Sequence, residues 1–290
     1  MLTCLCTRFH ADLAVHRQAC SAIDCRMKLA KHLVEKPWGR TDVPAEFGTL
    51  SGLRVGEIWY GAETEAPLPI LVKWLFTSQR LSIQVHPNDA QAQARGMTSG
   101  KEECWYVVDA EPGAVIGIGT KRPLTSEELY AASLSGEIEG LMDWKKVAAG
   151  DYFYIPAGTV HAIGAGITLV EVQQYADITY RLYDYGRDRE LHLDDGVEVS
   201  SAIPYMDARS GRASLGTQLF DGPHFQLWYV SDIEDVVALP HSGNIWITPL
   251  SGHIETDGDV AAKGDCIVVF GKAKVTFSSD AAALVAFSTM

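Results

Sequence analysis

Seven short apolar runs between Leu53 and Tyr175 restrict the fold more than any other feature of the chain: LRVGEIWYG, PILVKWLF, LSIQVHP, CWYVVDA, AVIGIG, DYFYIPAG and ITLVEVQQY. Each has strand length and ends in turn residues. Many such runs in close succession predict a mainly all-β protein, a sandwich or barrel. Two short helical insertions are expected. Asp89 is placed to cap AQAQAR, and Thr125 with Glu128 forms a capping box ahead of LYAASL. There is no βαβ alternation and no glycine-rich phosphate loop, so the pattern excludes Rossmann and P-loop architectures.

After an acidic stretch over 190–212 the β pattern resumes in FQLWYVS, NIWITPLSGHIE, GDCIVVF and KVTFSS. His224, His241 and His253 are scattered through this block, and no two of them share a strand at ligand spacing. The expected organisation is a leader over 1–26, a domain carrying the chemistry over 27–200, and a second β domain without a metal site over 201–290.

Composition narrows the function. The 290 residues carry a formal net charge of −13, which argues against nucleic acid as a partner because a phosphate backbone asks for a basic surface. A small anionic substrate stays compatible, since a few nearby Lys or Arg set the local potential. No apolar run reaches the roughly 18 residues of a membrane span. Arg8, Asp12 and Arg17 interrupt any signal-peptide core, so a cytoplasmic location is the default expectation. Cys4, Cys6, Cys20 and Cys25 crowd the leader, leaving only Cys104 and Cys266 elsewhere. Their spacings fit no usual zinc pattern. The leader is therefore expected to be poorly ordered, or an upstream start with Met27 as the true beginning.

Two segments carry polar groups where a strand should be apolar. In LSIQVHPND, Leu81, Ile83 and Val85 read as one face, which puts Ser82, Gln84 and His86 together on the other. Burying three polar groups on one face is costly unless something satisfies them. In GDYFYIPAGTVHAIG, Pro156-Ala157-Gly158 predicts a tight turn, after which His161 opens a returning strand.

The spacing of Gly150, Pro156, Gly158 and His161 resembles the second motif of the cupins, small jelly-roll β-barrels in which that histidine ligates a metal. Cupins usually supply the remaining ligands from an HxH pair and a glutamate, whereas this chain has Gln84-x-His86 and then GKEECWYVVDAEPGA. Together with TYRLYDYGR, and with Trp38 and Gly39 in EKPWG, these motifs closely resemble the type I mannose-6-phosphate isomerases over residues 34–195. The resemblance is weak in the C-terminal block. It implies a cupin jelly-roll barrel followed by a degenerate cupin-like domain, and one Zn2+ held by Gln84, His86, Glu103 and His161. Such a set of N and O donors suits a borderline divalent ion, and with one anionic ligand the ion keeps its positive charge. Glu102 would face away from Glu103.

The same resemblance implies interconversion of mannose 6-phosphate and fructose 6-phosphate through an enediol(ate). It places Arg181, Glu171 and Lys101 in catalysis and Ser82, Trp38 and Arg187 near the substrate. Glu171 stands out independently, because a charge within LVEVQQ is costly unless paired or functional. Arg181 is expected to share a strand face with Thr179 and Tyr183, and its duller reading is an ion pair with Asp177 or Asp184. The alternatives are a metal-dependent cupin oxygenase and a non-catalytic sugar-binding cupin. The glutamine, the Lys-x-Glu pair and TYRLYD argue against the first, and retention of the whole constellation argues against the second. The implied partner is a small sugar phosphate, with no nucleic acid, membrane or obligate protein partner.

Overall fold

The computed structural model describes residues 26–50, 52–61, 68–232, 244–256, 258–270 and 274–289. The leader expectation, including Cys4, Cys6, Cys20 and Cys25, and the reading of His241 lie outside the described residues. Two facing sheets carry the chemistry-bearing motifs. A seven-stranded sheet runs from Gly211–Arg212 through Asp151–Ile155, Glu103–Ala110, Ile167–Gln174, Ile70–Phe76 and Val55–Gly61 to Ala30–Arg40. A five-stranded sheet runs from Tyr180–Tyr183 through Ile83–Val85, His161–Ile163 and Val115–Thr120 to Met142–Lys146. Trp105, Val107 and Leu169 from the first sheet join Ile116, Ile118 and Ile163 from the second in one buried cluster. The two sheets are thus the halves of one barrel, as the run pattern predicts.

The seven-stranded sheet is covered on its other face as well. Ile58, Tyr60, Trp74, Phe76, Val170 and Val172 share a cluster with Phe220, Phe225, Trp246, Val268 and Leu284. The latter belong to a six-stranded sheet ordered Arg26–Lys28, Ile267–Val269, Ile245–Ser251, Ala282–Ser288, Phe225–Val230 and Thr217–Asp221, or to the turns beside it. Every residue of Ile70–Phe76 and Ile167–Gln174 is consequently buried. This explains why ILVKWLF and ITLVEVQQ read as nearly continuous apolar runs instead of alternating ones. The outer face of the five-stranded sheet is closed by helices Ser126–Ser135 and Leu193–Val199, whose Leu129, Ala132 and Val199 pack on Ile83, Val85 and Leu182.

The C-terminal block encloses an apolar cluster of its own, built from Val230, Ile247, Ile254, Val269, Val285 and neighbours. The chain crosses between units at both ends of the first barrel. Arg26–Lys28 pairs with Ile267–Val269, while Gly211–Arg212 returns to the edge strand Asp151–Ile155. The acidic connection holds the helix Leu193–Val199, which the sequence reading passed over.

Local details correct two expectations. The Thr125–Glu128 capping box forms as predicted, but the first helix is capped by Asn88 with Gln91, and Asp89 is its first helical residue. Leu81 precedes the strand Ile83–Val85 and packs into the barrel interior, while Ile83 and Val85 face the helices.

The two units are pinned by a buried polar bond, in which the Tyr60 hydroxyl donates to the Gly264 carbonyl at 2.6 Å. Gly264 sits at φ +92°, where an added Cβ would lie 2.7 Å from the Glu46 carbonyl oxygen. Tyr60→Phe keeps the ring and strands that carbonyl. It is expected to lower the urea unfolding free energy by about 1–3 kcal/mol.

Candidate active site

Strand pairing alone assembles one wall of a cleft. Gln84 lies opposite Arg181 on one neighbour strand and His161 on the other. Residues directly paired across strands share a face, and both Gln84 and Arg181 line the cleft. His86 follows two residues along the same face. The facing sheet contributes Lys73, Glu171 and Trp105 in one cross-strand row, with Glu103 two residues from Trp105. The expectation that Tyr183 shares this face fails. A bulge between Arg181 and Tyr183 pairs Tyr183 with Ile83, turning it toward the helices.

His86, Glu103 and His161 are buried, and their ligand atoms lie within 4.8 Å of one another. Each imidazole is oriented through its other nitrogen. Nδ1 of His86 is 2.6 Å from the Ile178 carbonyl, and Nδ1 of His161 is 2.8 Å from the Thr159 carbonyl. As donors to those oxygens, both rings present an Nε2 lone pair to the centre, the arrangement usual behind a ligating histidine. Nε2 of His86 lies 3.2 Å from Glu103 Oε1, and Nε2 of His161 lies 3.9 Å from Oε2. The Pro156–Gly158 turn supports the group. Gly158, at φ +83°, donates its N–H to the His86 carbonyl at 2.8 Å. These donors fit a divalent cation.

Gln84 borders the same point, its Nε2 being 3.3 Å from His161 Nε2 while its Oε1 accepts from Ser82 at 3.1 Å. A cation there would take the amide oxygen, with the amide turned over relative to this orientation. The Lys101 ammonium contacts Glu103 Oε1 and lies 3.4 Å from His86 Nε2.

Around this group the charges alternate. Lys36 pairs with Glu57 at 3.3 Å, and Lys73 pairs with Glu171 at 3.2 Å. Burial, reinforced by the Glu103 charge, pushes the Glu171 carboxyl up despite the neighbouring Lys73 and Lys101. Burial opposes ionisation of Glu103 as well, but Lys101 and His86 outweigh it and hold Glu103 well below the usual carboxylate range. For Lys101 the attraction of Glu103 and Glu171 overcomes burial and raises its pKa. Burial, with the Lys101 charge, lowers His86 to about 3, and burial lowers His161 too.

Trp38, Ser82, Gln84, Lys101, Glu171 and Arg181 all line the cleft. Arg181 makes no ion pair with Asp184, which instead binds Arg187 at 2.9 Å and Arg189 at 2.6 and 2.7 Å. It donates from Nη1 to the Glu190 carbonyl at 2.6 Å, and its buried Nε has no hydrogen-bond partner among the described residues. Arg187 is not among the lining residues; Arg189 is. Sequence reasoning passed over Lys73 and Glu57, and weighed Asp177 only as an ion-pair partner of Arg181; all three line the cleft. For Lys73 the signal was present, a charge within PILVKWLF, of the kind that singled out Glu171.

The neutral imidazoles contribute to the acid stability of the ion-free protein. His86 titrates near 3 in the fold and at about 6.5 when unfolded, so the unfolded chain takes the proton first. The stabilisation is complete above about pH 6.5 and is lost as pH falls toward 3. Urea unfolding between about pH 7 and about pH 4.5 should show stability falling by up to about 1.4 kcal/mol per pH unit for this proton. The slope should be shallower by up to about one proton in His86→Gln.

No family model matches the chain. Among curated proteins, it is 43% identical over 165 residues to mannose-6-phosphate isomerase ManA of Bacillus subtilis, covering 52% of each chain. It is 36% identical over 202 residues to mannose-6-phosphate isomerase of Streptococcus mutans, covering 63% of this chain and 64% of that one. The matches thus span about half to just under two thirds of these relatives. In fold the similarity is more extensive. The crystal structure of mannose 6-phosphate isomerase from Bacillus subtilis superposes with a TM-score of 0.75 at 25% identity, covering 91% of this chain and all of that one. A variant of phosphomannose isomerase from Salmonella typhimurium, 14% identical, gives 0.66 over 92% of this chain and all of that one, a likeness of fold alone. By sequence over part of its length and by fold over nearly all of it, the chain is similar to mannose-6-phosphate isomerases and shares the cupin fold of their solved structures.

Proposed function

We propose that the protein is an aldose–ketose isomerase that interconverts mannose 6-phosphate and fructose 6-phosphate through an enediol(ate), with one Zn2+ at Gln84, His86, Glu103 and His161. The reading rests on one observation: a buried carboxyl of raised pKa and an arginine with an unpaired buried donor line a polar cleft whose Gln84 and Lys101 abut a potential ion site at His86, Glu103 and His161. The names of the relatives supply the substrate. Imidazole and carboxylate donors favour a borderline ion such as zinc. When bound, the ion supplies fixed positive charge against oxygen atoms that become anionic during the reaction.

The chain's own groups divide the remaining work. The reaction moves a proton between C1 and C2 of the open-chain sugar, and Glu171 is the proton carrier in this reading. A carboxyl whose pKa is raised by burial is closer to the working pH than an exposed one. Lys73, 3.2 Å from Oε1, fixes its orientation. Arg181 offers charge that never titrates to the developing oxyanion. Lys101 holds Glu103 ionised and in place. Ser82 and Trp38 border the sugar. Arg187 serves indirectly, by sharing Asp184 with Arg189 at the rim, where a phosphate would find cations. A doubly charged sugar phosphate does not cross membranes unaided, which supports a cytoplasmic setting. Among the described residues no helix is long and apolar enough to span a membrane.

A coupled assay of mannose 6-phosphate conversion tests the reading. Activity should vanish with chelator and return with Zn2+, and activity that is absent or indifferent to chelator overturns the proposal. Glu171→Gln should keep the ion and lose at least about 10²-fold in kcat. His161→Ala should lose the ion itself.

A further inference from the structure

Trp105 does something that neither its strand position nor its apolar character requires. Its indole Nε1 lies 3.0 Å from Glu103 Oε2 and 3.0 Å from Glu171 Oε2. The side chain is fully buried, as are both carboxylates. Its ring also meets His161 edge-on, with centroids 5.4 Å apart at 71°. One hydrogen therefore bridges two carboxyl groups and cannot serve both fully. Glu171 also pairs with Lys73, and Lys101 serves Glu103, so the indole is the neutral link between the two carboxylates. Cross-strand pairing with Glu171 and the two-residue offset from Glu103 on one strand make this placement a product of register.

We infer that Trp105 is a positioning residue that transmits ion occupancy at Glu103 to Glu171. When a cation draws on the Glu103 oxygens, the shared N–H turns its hydrogen bond toward Glu171, and the Glu171 carboxylate is locked at the substrate's side of the cleft. Without the ion the N–H stays divided and Glu171 is held less firmly. The cleft is thereby set for reaction only when the ion is in place. This inference rests on the reading of Glu103 as an ion ligand and Glu171 as the proton carrier.

The test follows the indole directly. In protein labelled with [15N-indole]tryptophan, the Trp105 resonance is identified by its absence from Trp105→Phe. On titration with Zn2+ it should move to a saturating end point at one ion per chain, and in Glu171→Gln that movement should shrink by at least about two-fold, because a neutral acceptor no longer competes. Trp105→Phe should bind Zn2+ within about three-fold of the wild type and keep KM within about two-fold, while kcat falls by about ten-fold or more. A merely structural tryptophan would not give that split.

If Trp105→Phe does not fold, Glu171→Gln, which keeps every apolar contact, identifies the resonance by its shift. An indole signal unmoved at Zn2+ saturation overturns the inference, as does wild-type kcat in Trp105→Phe. A wild type that binds the ion, moves the indole and yet isomerises no sugar would defeat the isomerase reading and leave the coupling standing. A wild type that binds no ion overturns both.

Discussion

Everything distinctive in this molecule depends on one sheet with two unlike faces. The strands Ile70–Phe76, Glu103–Ala110 and Ile167–Gln174 carry Trp74, Phe76, Cys104, Tyr106, Val170 and Val172 outward into an apolar seam shared with the C-terminal unit. The same strands carry Lys73, Glu103 and Glu171 inward, all buried. Placing charges in a buried strand costs free energy that only pairing offsets. The inner face pairs them in sequence, Lys36 with Glu57, Lys73 with Glu171, and Lys101 with Glu103. The outer face supplies the burial that keeps such strands from being expelled into water. In this light the second unit, which packs an apolar cluster of its own, contributes to the cleft by covering the back of the sheet that builds it.

That division explains what could be read from the sequence and what could not. Gln84 and His86 were legible because polar residues two apart in an apolar strand report a face that must be satisfied, and His161 because a Pro-Ala-Gly turn announces the strand it opens. The capping box at Thr125 is written in local chemistry and forms as written. Lys73 carried the same signal as Glu171 but sits among seven buried residues, where a single charge is easily read as the edge of a run. Register-dependent facts were out of reach. That Glu171 pairs with both Lys73 and Trp105 requires knowing which strands are neighbours. The bulge that turns Tyr183 away from Arg181 leaves no mark in TYRLYDYGR, and nothing local says that Leu81 lies outside its strand.

The electrostatics of the cleft follow from the same enclosure. Burial alone would drive all the ionisable groups toward neutrality. Instead they separate. Glu103, with Lys101 and His86 against it, stays ionised, while Glu171 is pushed toward its neutral form by burial and by Glu103. Two carboxylates bridged by one indole hydrogen thus acquire different proton affinities. Such a separation suits one to hold a cation and the other to carry a proton. Burial keeps the histidines neutral, and because the Nδ1 hydrogen of each is engaged by a backbone carbonyl, each can offer its Nε2 lone pair.

The neutral amide at position 84 has a reason in this geometry. Gln84 stands in register between His161 and Arg181 on adjacent strands, close enough for opposite charges to attract. A carboxylate there would be drawn to Arg181 and would satisfy the guanidinium internally, removing a strong cation from any substrate. It would also add a second negative charge to the ligand group and weaken the field of a bound ion. An amide avoids both outcomes. Its oxygen can face a cation while Arg181, opposite, keeps a buried Nε with no partner among the described residues. The neutral glutamine therefore leaves an unsatisfied donor across the strand, and that donor is what an oxyanion in the cleft requires.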